Sequence, residues 1–179
     1  MKYLNSLHSR RFTDAAFQII HEIPTRAFER GLWSITGFSF PTLSLWTILR
    51  GQRRVGLAAL EDAAVDMAGL RDEVAALITS ESEAWPVVLG PGNVLLDART
   101  REPVRPLAEQ CEPFVDALVA ASKQEAGALG HDYVGTEHLL LTVVKEATRE
   151  LRALLERHDL DYERIKASVE SLLQSGGTK

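Results

Sequence analysis

The run LAALEDAAVDMAGLRDEVAALI, residues 57–78, lies without a gap on RALLERHDLDYERIKASVESLL, residues 152–173, and this pairing decides how the chain reads. Asp66 falls on Asp161. In each copy the aspartate precedes apolar residues at helical spacing: Leu70, Val74, Leu77 and Ile78 in one, Ile165, Val169, Leu172 and Leu173 in the other. An aspartate there predicts an N-cap. Its carboxylate accepts a hydrogen bond from a first-turn amide and favours the helix dipole, roughly 1 kcal/mol over alanine. A unit present twice has a copy of itself against which to bury its apolar face.

The same register carries upstream, where Leu45, Thr47, Ile48, Leu49 and Arg50 meet Leu140, Thr142, Val143, Val144 and Lys145, a second helix in each half. Pro41, tolerated just inside a helix start, and Thr136, a capping residue, mark where these helices begin. Thr13 or Asp14 is expected to start a longer helix in the first half and Pro113 its counterpart in the second. Gly31 and Gly130 are expected to end them, and Pro24 to kink the first. Each half thus reads as four helices. The fold class is all-α: a pseudo-twofold eight-helix bundle in a single domain over 1–179, with a divergent first repeat at 12–78 and a second at 113–173. In the connector, 79–112, the apolar runs Trp85 to Leu89 and Val94 to Leu96 flank Gly90-Pro91-Gly92-Asn93, a turn signal that leaves a small β-hairpin and a folded-back loop as the two readings.

Composition narrows the function. With 179 residues, 45% hydrophobic and 25% charged, the chain reads as an ordinary globular protein. A formal net charge of −5 argues against nucleic-acid binding, which needs clustered basic surface, and the cluster Arg50, Arg53 and Arg54 does not overturn this. The charged start lacks the apolar stretch of a secretory signal, and no apolar run approaches a membrane span of roughly 20 residues. Cys111, the single cysteine, permits neither an intrachain disulfide nor a cysteine-built metal site. A cytoplasmic protein is expected. There is no GxxxxGK[ST] phosphate loop and no GxSxG elbow, and Ser122, His131 and Asp132 are too ordinary a set to count as a triad.

The run LGHDYVGTEHLLL, residues 129–141, with Glu125-Ala126 before it and the Asp161 helix after it, resembles the N-terminal repeat of Clp-family unfoldases. Phe12-Thr13 is similar to the family's opening phenylalanine-threonine. The resemblance implies a two-repeat, eight-helix docking domain that receives adaptors and substrates, here expected as a stand-alone protein without ATPase modules. It implies a non-enzymatic interaction module that binds a Clp protease or unfoldase, or its substrates. Some family members hold phosphorylated arginine through an acidic residue in a glycine-threonine-glutamate-histidine motif of each repeat. Glu137, beside Thr136, matches one such position. The first half has Phe40, Pro41, Thr42 and Leu43 instead, preceded by about four extra residues, so the other acid is replaced by Thr42.

Each candidate has a plain alternative. Glu137 in a first helical turn is explained by the helix dipole as well as by a ligand. His131 and His138 lack the spacing of a helical zinc pair, so hydrogen-bonded histidines are expected, with no metal and no cofactor. Trp46 belongs to the buried series. Trp33, Phe38, Phe40 and Trp85 mark a candidate partner surface, because aromatic residues dominate interfaces as they do cores. Two other readings stand beside docking: an enzyme whose site lies between the repeats under a connector lid, and a homodimer joined through the connector.

Overall fold

A computed structural model describes residues 12–37, 39–52, 54–64, 66–82 and 87–176; Phe38 and Trp85 lie outside them. The described residues form eight α-helices: α1 Asp14–Glu29, α2 Ser39–Arg50, α3 Val55–Ala63, α4 Met67–Ser82, α5 Leu107–Ala128, α6 Thr136–Lys145, α7 Arg149–Arg157 and α8 Tyr162–Gly176. Both expected aspartate caps are present. Asp66 accepts from the Gly69 N–H at 2.9 Å and Asp161 from the Arg164 N–H at 2.7 Å, each three residues on. Thr13 caps α1 by accepting from the Ala16 N–H. Gly31 and Gly130, with φ of 70° and 75°, turn the chain out of α1 and α5 in the left-handed conformation that glycine adopts without strain.

Helices α2 and α6 form the centre. Their sequences are apolar on every side, which suits a helix surrounded by others, and Leu43, Leu45, Ile48, Leu49, Leu139, Leu140 and Leu141 are all buried. The halves interlock around them: α3 lies along α8, and α4 meets α7. Arg157 reaches Glu73 at 2.5 Å across that second seam.

Between α4 and α5 the connector forms the hairpin. Strand β1 (Val87–Leu89) pairs antiparallel with β2 (Leu95–Asp97), Val87 opposite Asp97 and Leu89 opposite Leu95. The turn runs through Pro91–Asn93 with Gly92 at φ 70°. Asp97 then accepts from the Arg99 and Thr100 N–H groups, folding the following segment back so that Pro103 bridges Leu96.

Three local expectations change. Helix α5 starts at Leu107, not at Pro113, which sits inside it. A mid-helix proline costs about 3 kcal/mol. The extra turns offset this by burying Cys111 and by the Gln110 side chain, which accepts from the Ile35 N–H at 2.9 Å and donates to the Trp33 carbonyl at 3.2 Å. Thr136 is not the cap of α6; that place belongs to Gly135. And α2 begins at Ser39, two residues ahead of Pro41. The Thr36 hydroxyl accepts from the Ser39 N–H while the Ser39 hydroxyl accepts from the Thr36 N–H, the reciprocal pattern of a capping box, and Phe40 N–H bonds back to the Thr36 carbonyl.

Candidate functional site

The motif 133–138 is positioned by a strand-like contact from the far end of the sequence. Phe12 bridges Val134 in parallel, and the Thr13 N–H donates to the Val134 carbonyl at 2.9 Å. This sets the start of α1 beside the start of α6. The start of α3 joins them: the Gly56 N–H donates to the Thr136 hydroxyl at 3.0 Å, a contact between residues 80 apart in sequence. A side chain at 56 would place its Cβ 2.6 Å from the Thr136 carbonyl oxygen, so glycine is what lets the two helix starts touch. Three N-termini, each with its positive dipole end, thereby face one open cavity of about 390 Å³ walled by Thr13, Asp14, Arg54, Tyr133, Thr136 and Glu137.

Glu137 is 2% exposed, and its carboxylate folds back over Gly135 into the space that a side chain there would fill. One oxygen, Oε1, is buried with no hydrogen-bond partner. Burial raises the pKa of this carboxyl above its ordinary value, against the pull of its own N–H, His131 and the Tyr133 and Thr136 hydroxyls. Burial likewise raises Tyr133, helped by Glu137.

His138 Nδ1 lies 3.3 Å from Glu137 Oε1, but this is no ion pair. Burial, with His131 adding to it, pushes His138 down to about 4 and keeps the ring neutral. Its Nδ1 accepts the Gly135 N–H at 2.9 Å. A neutral imidazole has one donor and one acceptor nitrogen, so Nε2 carries the proton and donates to His131 Nδ1, 2.8 Å away. Tyr133 stacks flat on the His131 ring. The ligand atoms of His131, Glu137 and His138 lie within 4.8 Å of one another, the distance range of a metal cluster, yet an ion would have to take a His138 nitrogen from one of these two bonds.

The candidate nucleophiles are spoken for. The Ser122 hydroxyl, fully buried, donates to Thr142 Oγ1 at 3.1 Å, and burial raises the Cys111 thiol to about 12.

Of the aromatic candidates, Trp33 is half-buried and edge-on to Phe28, which is 63% exposed; both line a cavity of about 430 Å³ against the connector residues Leu95, Val104 and Leu107. Phe40 is only 5% exposed and stacks on Phe114 at the edge of a third cavity, about 340 Å³, which also takes in Pro41, Leu118 and Val143. Trp46 is half-buried between the guanidinium groups of Arg30 and Arg50. Thr42 is fully buried. Sequence reasoning missed Thr13 and Arg54 as members of the Glu137 pocket and Gly56 as the contact that brings the α3 start to Thr136. A glycine two residues into an apolar helical run was the one available signal, for Gly56.

Comparison with known proteins agrees with this geometry. Residues 112–179 match the model of the Clp repeat N-terminal domain. A stretch of 61 residues, 34% of the chain, is 38% identical to a Guillardia theta protein described as an ATP-dependent Clp protease ATP-binding subunit ClpA homolog, and 59 residues are 39% identical to the Bacillus subtilis negative regulator of genetic competence ClpC/MecB. In each case the match spans 7% of the relative's length. Two solved structures share the fold over nearly the whole chain. The N-terminal domain of the Arabidopsis thaliana chaperone ClpD is 13% identical with a TM-score of 0.56, covering 92% of this chain and 95% of that one. A chain from structural work on a malarial protein secretion system is 14% identical with a TM-score of 0.61, covering 90% and 93%. The second half thus matches the Clp N-terminal repeat, and the chain as a whole shares the all-α fold of those two solved structures. Among the described residues no helix is long and apolar enough to cross a membrane.

Proposed function

We propose that this chain, whose second half matches the Clp N-terminal repeat, is a non-catalytic protein-interaction module that grips proteins through one surviving phosphoarginine pocket at Glu137 and serves as an adaptor or regulator of a Clp unfoldase or protease. The observation that carries this reading is the unpartnered, buried Oε1 of Glu137, set in an open cavity at three helix starts. A buried carboxylate oxygen without a donor is costly, and a guanidinium supplies donors in the planar fork that carboxylates accept. A phosphoryl group on that guanidinium suits the other wall, where the α1 start, the Thr13 hydroxyl and Arg54 offer amide dipoles and a cation. The first half supplies no second acid. The residue aligned with Glu137 in the first half is Thr42, which carries no charge.

Calorimetric titration of the chain with phosphoarginine tests this, with arginine and inorganic phosphate as controls. Saturable binding of one phosphoarginine per chain, lost in Glu137→Gln, is expected. Absence of binding, two sites per chain, or full binding by Glu137→Gln would overturn the reading. The adaptor role is tested by whether the purified chain changes the rate at which a reconstituted Clp unfoldase and protease degrade a phosphoarginine-bearing substrate; an unchanged rate removes it.

A further inference from the structure

We infer that the Glu137 pocket is one end of a longer, charge-graded groove that selects extended peptides with acidic residues a few positions from the gripped side chain. The inference rests on the reading of the Glu137 pocket given above. Ala15 and Arg54 wall that pocket, and the same two residues wall a second cavity of about 180 Å³ that continues along α1 past Gln18, Glu22 and Arg26 to Arg50 at the end of α2. The two cavities therefore adjoin along α1. From Ala15 to Glu22 the helix rises about 10 Å, at roughly 1.5 Å per residue, which is the span of about three residues of extended peptide.

Charge changes along this path. The pocket end holds Glu137 and Asp14. Arg54 stands on the wall the two cavities share; the far end holds Arg26 and Arg50, and the single carboxylate lining it, Glu22, is already engaged, accepting from Gln18 Nε2 at 2.8 Å and Arg26 at 2.9 Å. Arg26 also holds Glu29, so its charge is compensated. Arg50 and Arg54 are exposed, and among the described residues neither has a carboxylate partner: Arg50 lies over the Trp46 ring at 5.5 Å, and Arg54 has only the Gln52 amide at 3.3 Å. On a chain whose net charge is −5, two adjacent uncompensated guanidinium groups lining a groove are a local reversal of sign. With Arg54 on the phosphoryl group, Arg50 is left to complement carboxylates on a peptide already anchored at Glu137.

Fluorescence anisotropy with four short peptides, each with one central phosphoarginine, tests the inference. One has neutral flanks, one has two lysines, and two have a pair of aspartates placed two to four residues before or after the centre, so that either chain direction is sampled. One of the aspartate peptides is expected to bind about five- to tenfold more tightly than the neutral peptide at low salt, with the advantage shrinking as ionic strength rises. The lysine peptide is expected to bind more weakly than the neutral one. Arg50→Glu, which lies on the groove's far end and outside the Glu137 pocket, should erase the aspartate preference and leave neutral-peptide affinity unchanged. If the neutral peptide binds but all flanks bind alike, or if Arg50→Glu keeps the preference, the groove inference fails while the pocket reading stands. If no peptide binds, the pocket reading fails and takes the inference with it.

Discussion

Along α1 the groove that leads to Glu137 presents Ala15, Gln18, Ile19 and Glu22; along α5, counted from the matching left-handed glycines, the same turns present Phe114, Ala117, Leu118 and Ala121. Both sets run at the i, i+3, i+4, i+7 spacing that lines one face of a helix. Each faces the start of a central helix, α6 in one case and α2 in the other, and each is closed by the end of the opposite central helix. The backbone frame is shared and the chemistry is opposite. One groove carries Glu137, Arg50 and Arg54; the other carries Phe40, Pro41, Phe114 and Val143. Ile19 and Leu118, the inward member of each set, are both buried and stay aliphatic, whereas the lip residues differ freely. Packing constrains a repeat only where it faces the core, and the lip is where function can diverge. Even the strand-like contact that sets each groove is made differently. Thr13 N–H meets the Val134 carbonyl on one side, while on the other the Gln110 side-chain amide reaches Trp33 and Ile35.

The sharpest way to break this comparison is to put the acid back in the first half. Thr42→Glu places a carboxylate at a fully buried position, and is expected to cost about 3–5 kcal/mol in urea unfolding without raising phosphoarginine stoichiometry above one. A second bound ligand would show that the apolar groove is a dormant copy of the polar one.

The next test uses pH. His138 titrates at about 4 when folded and near 6.5 when unfolded, so the unfolded chain binds the proton more readily. Its contribution is fully present above pH 6.5 and is lost as pH falls from 6.5 through about 4, on the order of 3 kcal/mol in total. His138→Gln should flatten that part of the stability profile. The counterpart on the other cap is Ser39, which does not titrate, so an unchanged slope in the variant would remove the asymmetry argued here.

Gly56 offers a smaller effect. Its place in the second half is taken by Leu151, which is buried, so only the first half needs a bare backbone there. Gly56→Ala should cost about 2 kcal/mol by thermal unfolding, because the α3 and α6 starts must separate, and should weaken phosphoarginine binding at the same time. Full stability in this variant would mean that the contact is not tight.

Smallest, and opposite in sign, is Glu137→Gln. The folded-state pKa of Glu137 is raised, so its favourable share is complete below the unfolded value and disappears as pH climbs through the folded one. At pH 7 the neutral variant should therefore be as stable as the parent or more so, by up to about 1 kcal/mol, while binding is lost. A marked loss of stability would make the carboxylate a structural cap, the plain reading that any first-turn glutamate invites.

Local chemistry was legible in the sequence. Asp66 and Asp161 read as caps, Gly31 and Gly130 as helix ends, and Gly90-Pro91-Gly92-Asn93 as a turn, with hairpin and folded-back loop both open, because each depends on hydrogen bonds or dihedral angles within a few residues. The motif around Glu137 was legible as a resemblance for the same reason: it is contiguous. The start of α5 was not, since Pro113 is locally the better beginning and only burial of Cys111 and the bonds of Gln110 to the first half make the longer helix worthwhile.

From the sequence alone came the repeated helical unit, its caps and a single acidic motif. The tertiary structure decided which helix starts meet: that Thr13, Arg54 and Gly56 stand beside Glu137, that Arg50 continues the same groove, and that the first half offers an apolar groove instead. Periodicity fixes what each helix buries, but the company a surface residue keeps depends on contacts between segments as far apart as Gly56 and Thr136, and no local pattern encodes those.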